Sequence, residues 1–87
     1  MAKYNISFKK SVAKDLRSMP AVDVKRILSR IERLAQEPRG EGCIKLAGHD
    51  KYRVRQGLYR IIYQIRDNEL IVNVVKIGHR SSIYKIT

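Results

Sequence analysis

Arginine recurs in residues 51–66, KYRVRQGLYRIIYQIR, a stretch that otherwise favours β-structure. Gly57 separates two runs rich in tyrosine, valine and isoleucine, which predicts two strands joined by a tight turn. Because strand side chains alternate between faces, Arg53 and Arg55 share one face, and Arg60 of the second strand is predicted to lie on the same side. A guanidinium group stays protonated and binds two phosphate oxygens at once. The spacing therefore indicates a surface that binds phosphate.

The other face of this hairpin carries the side chains that should pack against helices, namely Tyr52, Val54, Tyr59, Ile61, Tyr63 and Ile65. A second interpretation of the arginines stays open from the residues alone: they keep an exposed sheet face soluble, since exposed charges usually contribute little else. Arg66 is set apart from the other arginines. It flanks the turn at Asp67 and Asn68, and we expect it to pair with Glu69 on the surface.

The charge balance points to an anionic partner. Nineteen lysine and arginine residues stand against eight aspartate and glutamate residues, a formal charge of +11. This excess favours nucleic acid, the ribosome, an acidic protein or a membrane surface, without choosing among them. Cys43 is the single cysteine, which permits no intramolecular disulfide and suggests a reduced, cytoplasmic compartment. No apolar run approaches the roughly 20 residues that span a bilayer, so we expect no membrane segment.

Hydrophobic periodicity predicts the elements that position the arginines. Residues 4–8 alternate as a short strand, residues 9–19 follow a helical period that Pro20 ends, and a second helix runs from about Ala21 to Pro38. Strands follow at 52–56, 59–66 and 70–77. The last of these, LIVNVVKI, is apolar on both faces, which predicts a central strand.

The predicted fold class is α+β, with the order βααβββ. Two N-terminal helices should pack on one face of a small, mostly antiparallel sheet, leaving the arginine face open. A chain of 87 residues supports one core, so we expect a single domain over residues 1–87.

Four motifs in this order resemble the RelE/ParE toxin superfamily of bacterial toxin–antitoxin modules: Leu-x-Gly at residues 46–48, YRVR at 52–55, GLYRIIY at 57–63, and GHR…Y at 78–84. The resemblance covers almost the whole chain. It implies one of two activities, because RelE-like members are ribosome-dependent endoribonucleases whereas ParE-like members poison DNA gyrase.

The resemblance also implies roles for single residues. RelE-type nucleases carry basic groups and a tyrosine at the positions that hold Arg53, Arg55, Arg60, Arg80 and Tyr84 here. Arg60, Arg80 and Tyr84 are thus the expected catalytic residues, and Arg53 and Arg55 the expected RNA-binding residues. Many relatives have lysine at those first two positions, and the spacing from Arg80 to Tyr84 is shorter than in some. Arginine does not lose its proton, so Arg53 and Arg55 are expected to be electrostatic clamps.

His79 is expected to contact RNA, with a role in acid–base catalysis as the alternative, because its ordinary pKa lies near 6.5. The resemblance implies cleavage of mRNA in the ribosomal A site by attack of the RNA's own 2′-OH. We expect no metal and no cofactor, since neither a metal-ligand cluster nor a phosphate-binding loop is present in the sequence.

The partners implied by the resemblance are a cognate antitoxin, the ribosome and mRNA, with operator DNA bound only as the toxin–antitoxin complex. Two alternatives remain. One is a ParE-like inhibitor of gyrase, and the other is a non-catalytic nucleic-acid-binding module that acts in autoregulation.

Overall fold

The computed structural model describes residues 3–79 of the chain and contains two helices and five strands. The elements are β1 (Asn5–Phe8), α1 (Lys10–Arg17), α2 (Ala21–Gln36), β2 (Ile44–Lys45), β3 (Tyr52–Gln56), β4 (Tyr59–Arg66) and β5 (Ile71–His79). The predicted α+β class is confirmed. The predicted order lacked β2, because two residues are too few to show the alternation by which a strand is recognised.

The five strands form one sheet in the order β1-β5-β4-β3-β2. β1 runs parallel to β5, and the other neighbours are antiparallel, as predicted. The prediction that residues 70–77 form the central strand is only partly right. β5 is an interior strand, but β4 is the middle one, and Leu70 belongs to the preceding turn with a φ of 53°.

The core lies between the two helices and one face of the sheet. The sheet contributes the residues predicted from alternation, with Val54, Ile61 and Tyr63 almost completely buried. These pack with Val12 of α1 and with the α2 stripe formed by Ile27, Ile31 and Leu34. Each such side chain contributes about 1.5–3 kcal/mol on burial, so this layer dominates the stability. Leu28, predicted within the stripe, is 41% exposed because it lies at the edge of the packed face.

Helix α1 protects the half of β5 that β1 does not reach. β1 pairs only with residues 71–74, so the later backbone amides of β5 would otherwise face solvent. The carboxylate of Asp15 accepts a hydrogen bond from the backbone N–H of Ile77 at 3.3 Å and forms an ion pair with Lys76 Nζ at 3.1 Å. Covering a strand edge in this way prevents other chains from pairing with it.

The turn between β3 and β4 fixes how the two arginine-bearing strands align. Gln56 and Tyr59 pair directly, which leaves a loop of two residues. Gly57 has a φ of 60° while Leu58 does not have a positive φ, the pattern of a tight hairpin turn that starts with glycine. The predicted turn at Gly57 is therefore confirmed, and it sets the register of every pair along the hairpin.

Candidate nucleic-acid interface

The hairpin register brings the predicted arginines onto one side of the sheet. Arg55 lies directly opposite Arg60, and Arg53 lies opposite Ile62. Side chains of directly paired residues stand roughly 4.5–5.5 Å apart at Cβ, so the Arg55 and Arg60 stems are neighbours. Like charges that lie directly opposite each other in a sheet are destabilising. We refer to Arg53, Arg55 and Arg60 as the arginine face.

Exposure differs sharply across the arginine face. Arg55 is exposed, Arg53 is half-buried, and Arg60 is only 4% exposed, as is Ile62 two residues later. The expectation of an open face is therefore wrong at these two positions of β4. As the middle strand, β4 has neighbours on both sides, whereas β3 has only the two residues of β2 on its outer side. The Arg60 guanidinium is thus held in a protected position, with Arg55 at its rim.

Two predicted site residues, Arg80 and Tyr84, lie outside the described residues, and their roles stay predictions. β5 ends at His79, immediately before Arg80 in the sequence. Gly78 pairs directly with Arg60 across the sheet. Because glycine has no side chain, nothing from this position competes with Arg60 for space on the arginine face.

His79 lies on the opposite side of the sheet from the arginine face. It pairs with Tyr59, and the two rings meet edge to face with centroids 6.1 Å apart. The Tyr59 hydroxyl donates a hydrogen bond to Asp23 Oδ2 at 3.0 Å, and this bond raises the pKa of Tyr59. The imidazole therefore belongs to a surface that includes helix α2. The predicted RNA contact of His79 stays a prediction, and any such contact would involve this surface.

A cleft beside the arginine face was missed by sequence reasoning. It has a volume of about 490 Å³ and is lined by Arg30, Glu41, Gly42, Ile44, Arg53, Val54 and Arg55. We refer to it as the basic cleft. Arg30 reaches it from α2, and its Nη2 donates to the Glu41 carbonyl oxygen at 3.1 Å. The only signal in the sequence is the spacing of Arg26, Arg30 and Arg33, which places three arginines on one side of α2.

A different group of residues anchors the far end of the sheet. Arg39 Nη1 and Nη2 donate to the two carboxylate oxygens of Asp67 at 2.9 and 2.8 Å, and Arg39 Nε donates to the Tyr52 hydroxyl at 3.2 Å. The Tyr4 hydroxyl donates to the same carboxylate at 2.7 Å. The hydrogen bonds from Arg39 and Tyr4 lower the pKa of Asp67 to about 2. We refer to these four residues as the Arg39 network.

The Arg39 network also corrects the expectation for Arg66. Within residues 3–79 the ion pairs are Arg39 with Asp67 and Lys76 with Asp15, so the expected pair of Arg66 and Glu69 is not formed. The turn holds these two residues through the backbone instead, where the Glu69 N–H donates to the Arg66 carbonyl at 3.3 Å. Asp67 points to Arg39, a partner distant in sequence.

No group of three or more histidine, cysteine, aspartate or glutamate residues within residues 3–79 is arranged to hold a metal ion. No helix in this range is long and apolar enough to cross a membrane.

Comparison with known proteins identifies the family. The protein-family model described as the ParE toxin of type II toxin–antitoxin systems matches residues 6–84 of this chain. The putative toxin RelE1 of Methanocaldococcus jannaschii is 36% identical, covering 95% of this chain and 97% of the relative. Toxin RelG of Mycobacterium tuberculosis is 30% identical, covering 94% and 97%.

The fold comparison agrees. The RelE toxin in the archaeal RelE–RelB complex of Pyrococcus horikoshii superposes with a TM-score of 0.81 at 32% identity, covering 94% of this chain and 99% of that one. The sequence motifs, the sheet topology, the sequence relatives and the solved structure all indicate the same family. The chain belongs to the RelE/ParE superfamily and is a RelE-family toxin of a type II toxin–antitoxin system.

Proposed function

We propose that this toxin is a ribosome-dependent endoribonuclease that cleaves mRNA in the A site and so stops translation. The observation that carries the proposal is the direct pairing of Arg55 with Arg60, with Arg53 on the same face. Fixed cations that face each other are suited to a phosphodiester, whose non-bridging oxygens accept hydrogen bonds from several guanidinium groups at once.

The chemistry requires no external nucleophile, because RNA supplies its own. The 2′-oxygen attacks the adjacent phosphorus and loses its proton, the bond from phosphorus to the 5′-oxygen breaks, and that oxygen takes up a proton. The products are a 2′,3′-cyclic phosphate and a 5′-hydroxyl end. The protein must align the 2′-oxygen with the leaving oxygen and stabilise the extra negative charge of the transition state.

Arg60 is assigned to the transition-state charge. Its burial supports this role, because a guanidinium in a protected position does not need to reorganise as charge develops, and such a donor is worth about 3–4 kcal/mol. Arg53 and Arg55 hold the flanking backbone and raise the local positive potential, which favours loss of the 2′-OH proton. Following the resemblance, Arg80 stabilises the leaving oxygen and Tyr84 orients or stacks a base.

The proposed setting includes the partners of a toxin–antitoxin system. RelE is bound to RelB in the P. horikoshii structure, and we propose that a cognate antitoxin neutralises this toxin. A chain with a formal charge of +11 is suited to an acidic antitoxin segment as well as to RNA. The ribosome, mRNA and, through the antitoxin complex, operator DNA complete the proposal, which places the protein in the cytoplasm.

A second candidate function is inhibition of DNA gyrase. It is favoured by the family model, which describes ParE toxins and matches residues 6–84. The relatives that are 30–36% identical are named as RelE-type toxins, and this supports the nuclease instead.

One experiment separates the two candidates. The toxin is expressed briefly in cells, the 5′ ends of ribosome-bound mRNA are mapped, and plasmid supercoiling is measured in the same culture. We expect codon-phased cuts with unchanged supercoiling. Relaxed plasmid with intact mRNA would contradict the nuclease and support gyrase as the target, whereas neither effect would indicate a non-catalytic binding module.

A further inference from the structure

The basic cleft exists because β2 is short. β2 pairs only with Tyr52 and Arg53, and the chain before it turns away from β3 through Gly42, which has a φ of 84°. The outer edge of β3 is therefore uncovered at Val54 and Arg55, and a space of about 490 Å³ opens there between the sheet and α2. A volume of this size suits a nucleotide unit better than a single small ion.

Three arginine residues from two layers of the protein line this space. Arg53 and Arg55 come from β3, and Arg30 comes from α2. Glu41 is the one acidic residue in the lining, and it is the backbone oxygen of Glu41 that accepts a hydrogen bond from Arg30. That bond, with a 3.9 Å contact from Arg30 Nη2 to Cys43 Sγ, orients the side chain. A guanidinium has five N–H donors, so others remain to bind a ligand.

The cleft is continuous with the arginine face. Arg55 lines the cleft and is also the direct partner of Arg60, so no gap separates the two regions. On its other side the cleft adjoins a smaller space of about 250 Å³, which shares Arg30 and is lined further by Lys25, Arg26 and Arg33. A basic path thus leads from Arg60 over the edge of β3 towards α2.

We propose that the basic cleft is a second phosphodiester subsite, in which Arg30 binds the backbone of single-stranded RNA next to the phosphate held at Arg60. The proposal rests on the proposed function for the identity of the ligand. It adds a residue outside the catalytic group and predicts the direction in which the strand leaves the arginine face.

The test uses uncleavable RNA, so that binding is measured apart from chemistry. Oligonucleotides of two and nine nucleotides with 2′-O-methyl groups lack the nucleophile, and each is titrated against the full chain over a range of salt concentrations. We expect Arg30→Gln to weaken binding of the nine-nucleotide RNA about tenfold and to reduce the slope of log K against log salt by about 0.7. Binding of the two-nucleotide RNA should not change, because its single phosphodiester is held at Arg60 and it does not extend beyond the arginine face.

Two further variants sharpen the test. Glu41→Gln should tighten binding of the nine-nucleotide RNA, since it removes the one negative side chain of the cleft. Arg17→Gln is the matched control, because it removes the same charge from α1, which does not line the cleft. An equal loss for both oligonucleotides in Arg30→Gln, or a lowered melting temperature, would assign Arg30 a structural role and overturn the proposal.

The remaining outcomes are also decisive. If Arg30→Gln weakens binding to ribosomes but leaves the nine-nucleotide RNA unaffected, the guanidinium contacts structured ribosomal RNA, and the subsite proposal is wrong. If the wild type makes codon-phased cuts while every titration of Arg30→Gln matches the wild type, the subsite fails and the nuclease stands. If no cuts occur, the nuclease fails, and the titrations still decide whether the cleft binds single-stranded RNA.

Discussion

Arginine has opposite surroundings in the Arg39 network and on the arginine face. Arg39 meets the carboxylate of Asp67 in a two-pronged contact, with N–O distances of 2.9 and 2.8 Å. Arg55 meets another arginine, Arg60, in direct register. In the first region the charge is neutralised by the fold itself and holds a turn in place. In the second, the fold sets two arginines directly opposite each other, which is unfavourable for like charges.

Helix α2 shows the same contrast on a smaller scale. Its buried residues pack into the hydrophobic core. Arg26, Arg30 and Arg33 lie on the side that adjoins the basic cleft and the smaller space beside it. An arginine alone does not reveal which use it has, because the partner it meets decides this. Variants that remove one partner in each region therefore test this difference directly.

Relieving the charge opposition on the arginine face should change both cleavage and stability. Arg55→Gln should lower RNA cleavage about tenfold, because a phosphate clamp is lost. The same variant should increase the free energy of unfolding by about 0.2–1 kcal/mol, since like charges no longer stand opposite each other. Cleavage is measured on programmed ribosomes and stability by urea unfolding.

The control for Arg55→Gln is Arg17→Gln, which removes an exposed arginine of α1 outside the arginine face. It should change neither quantity appreciably. A loss of both stability and cleavage in Arg55→Gln would show that the fold depends on this residue, and the contrast with the Arg39 network would disappear.

A smaller effect is expected from pH on the Arg39 network. The folded protein lowers the pKa of Asp67 from 3.8 to about 2, so its contribution to stability is complete above pH 4 and is lost as the pH falls towards 2. Asp67→Asn should therefore be less stable than the wild type near neutral pH and should lose less stability between pH 4 and pH 2. The urea midpoint is measured across this range.

Asp50→Asn is the matched control, an exposed loop aspartate that makes neither of the two ion pairs within residues 3–79. Near neutral pH its urea midpoint should match that of the wild type. Identical profiles for Asp67→Asn and the wild type would mean that the Arg39 network contributes nothing to stability.

How much of the site was predictable depends on how far apart its parts lie in sequence. The shared face of Arg53, Arg55 and Arg60 follows from strand alternation and from a two-residue turn at Gly57, both local properties. The burial of Arg60 was not predictable in this way. It depends on what packs around the middle strand β4, and alternation along β3 and β4 carries no information about that.

The side-chain groupings that sequence reasoning missed join distant segments. The basic cleft needs α2, the loop at Glu41 and β3 to meet, and only tertiary packing places Arg30 beside Arg53. The Arg39 network likewise joins a loop to the turn at Asp67, whereas the nearest opposite charge in sequence suggested Arg66 and Glu69. Side-chain pairing across long sequence distances has no signature in local periodicity.

We expect the arginine face to serve catalysis and the Arg39 network to serve stability, and one paired measurement tests this division. Arg60→Met and Arg39→Met replace each guanidinium by an apolar chain, and single-turnover cleavage of ribosome-bound mRNA and melting temperature are measured for both. We expect Arg60→Met to lose at least about 100-fold in cleavage with its melting temperature retained. Arg39→Met should melt at a lower temperature and cleave at the wild-type rate below its melting transition. Full cleavage by Arg60→Met would contradict the account.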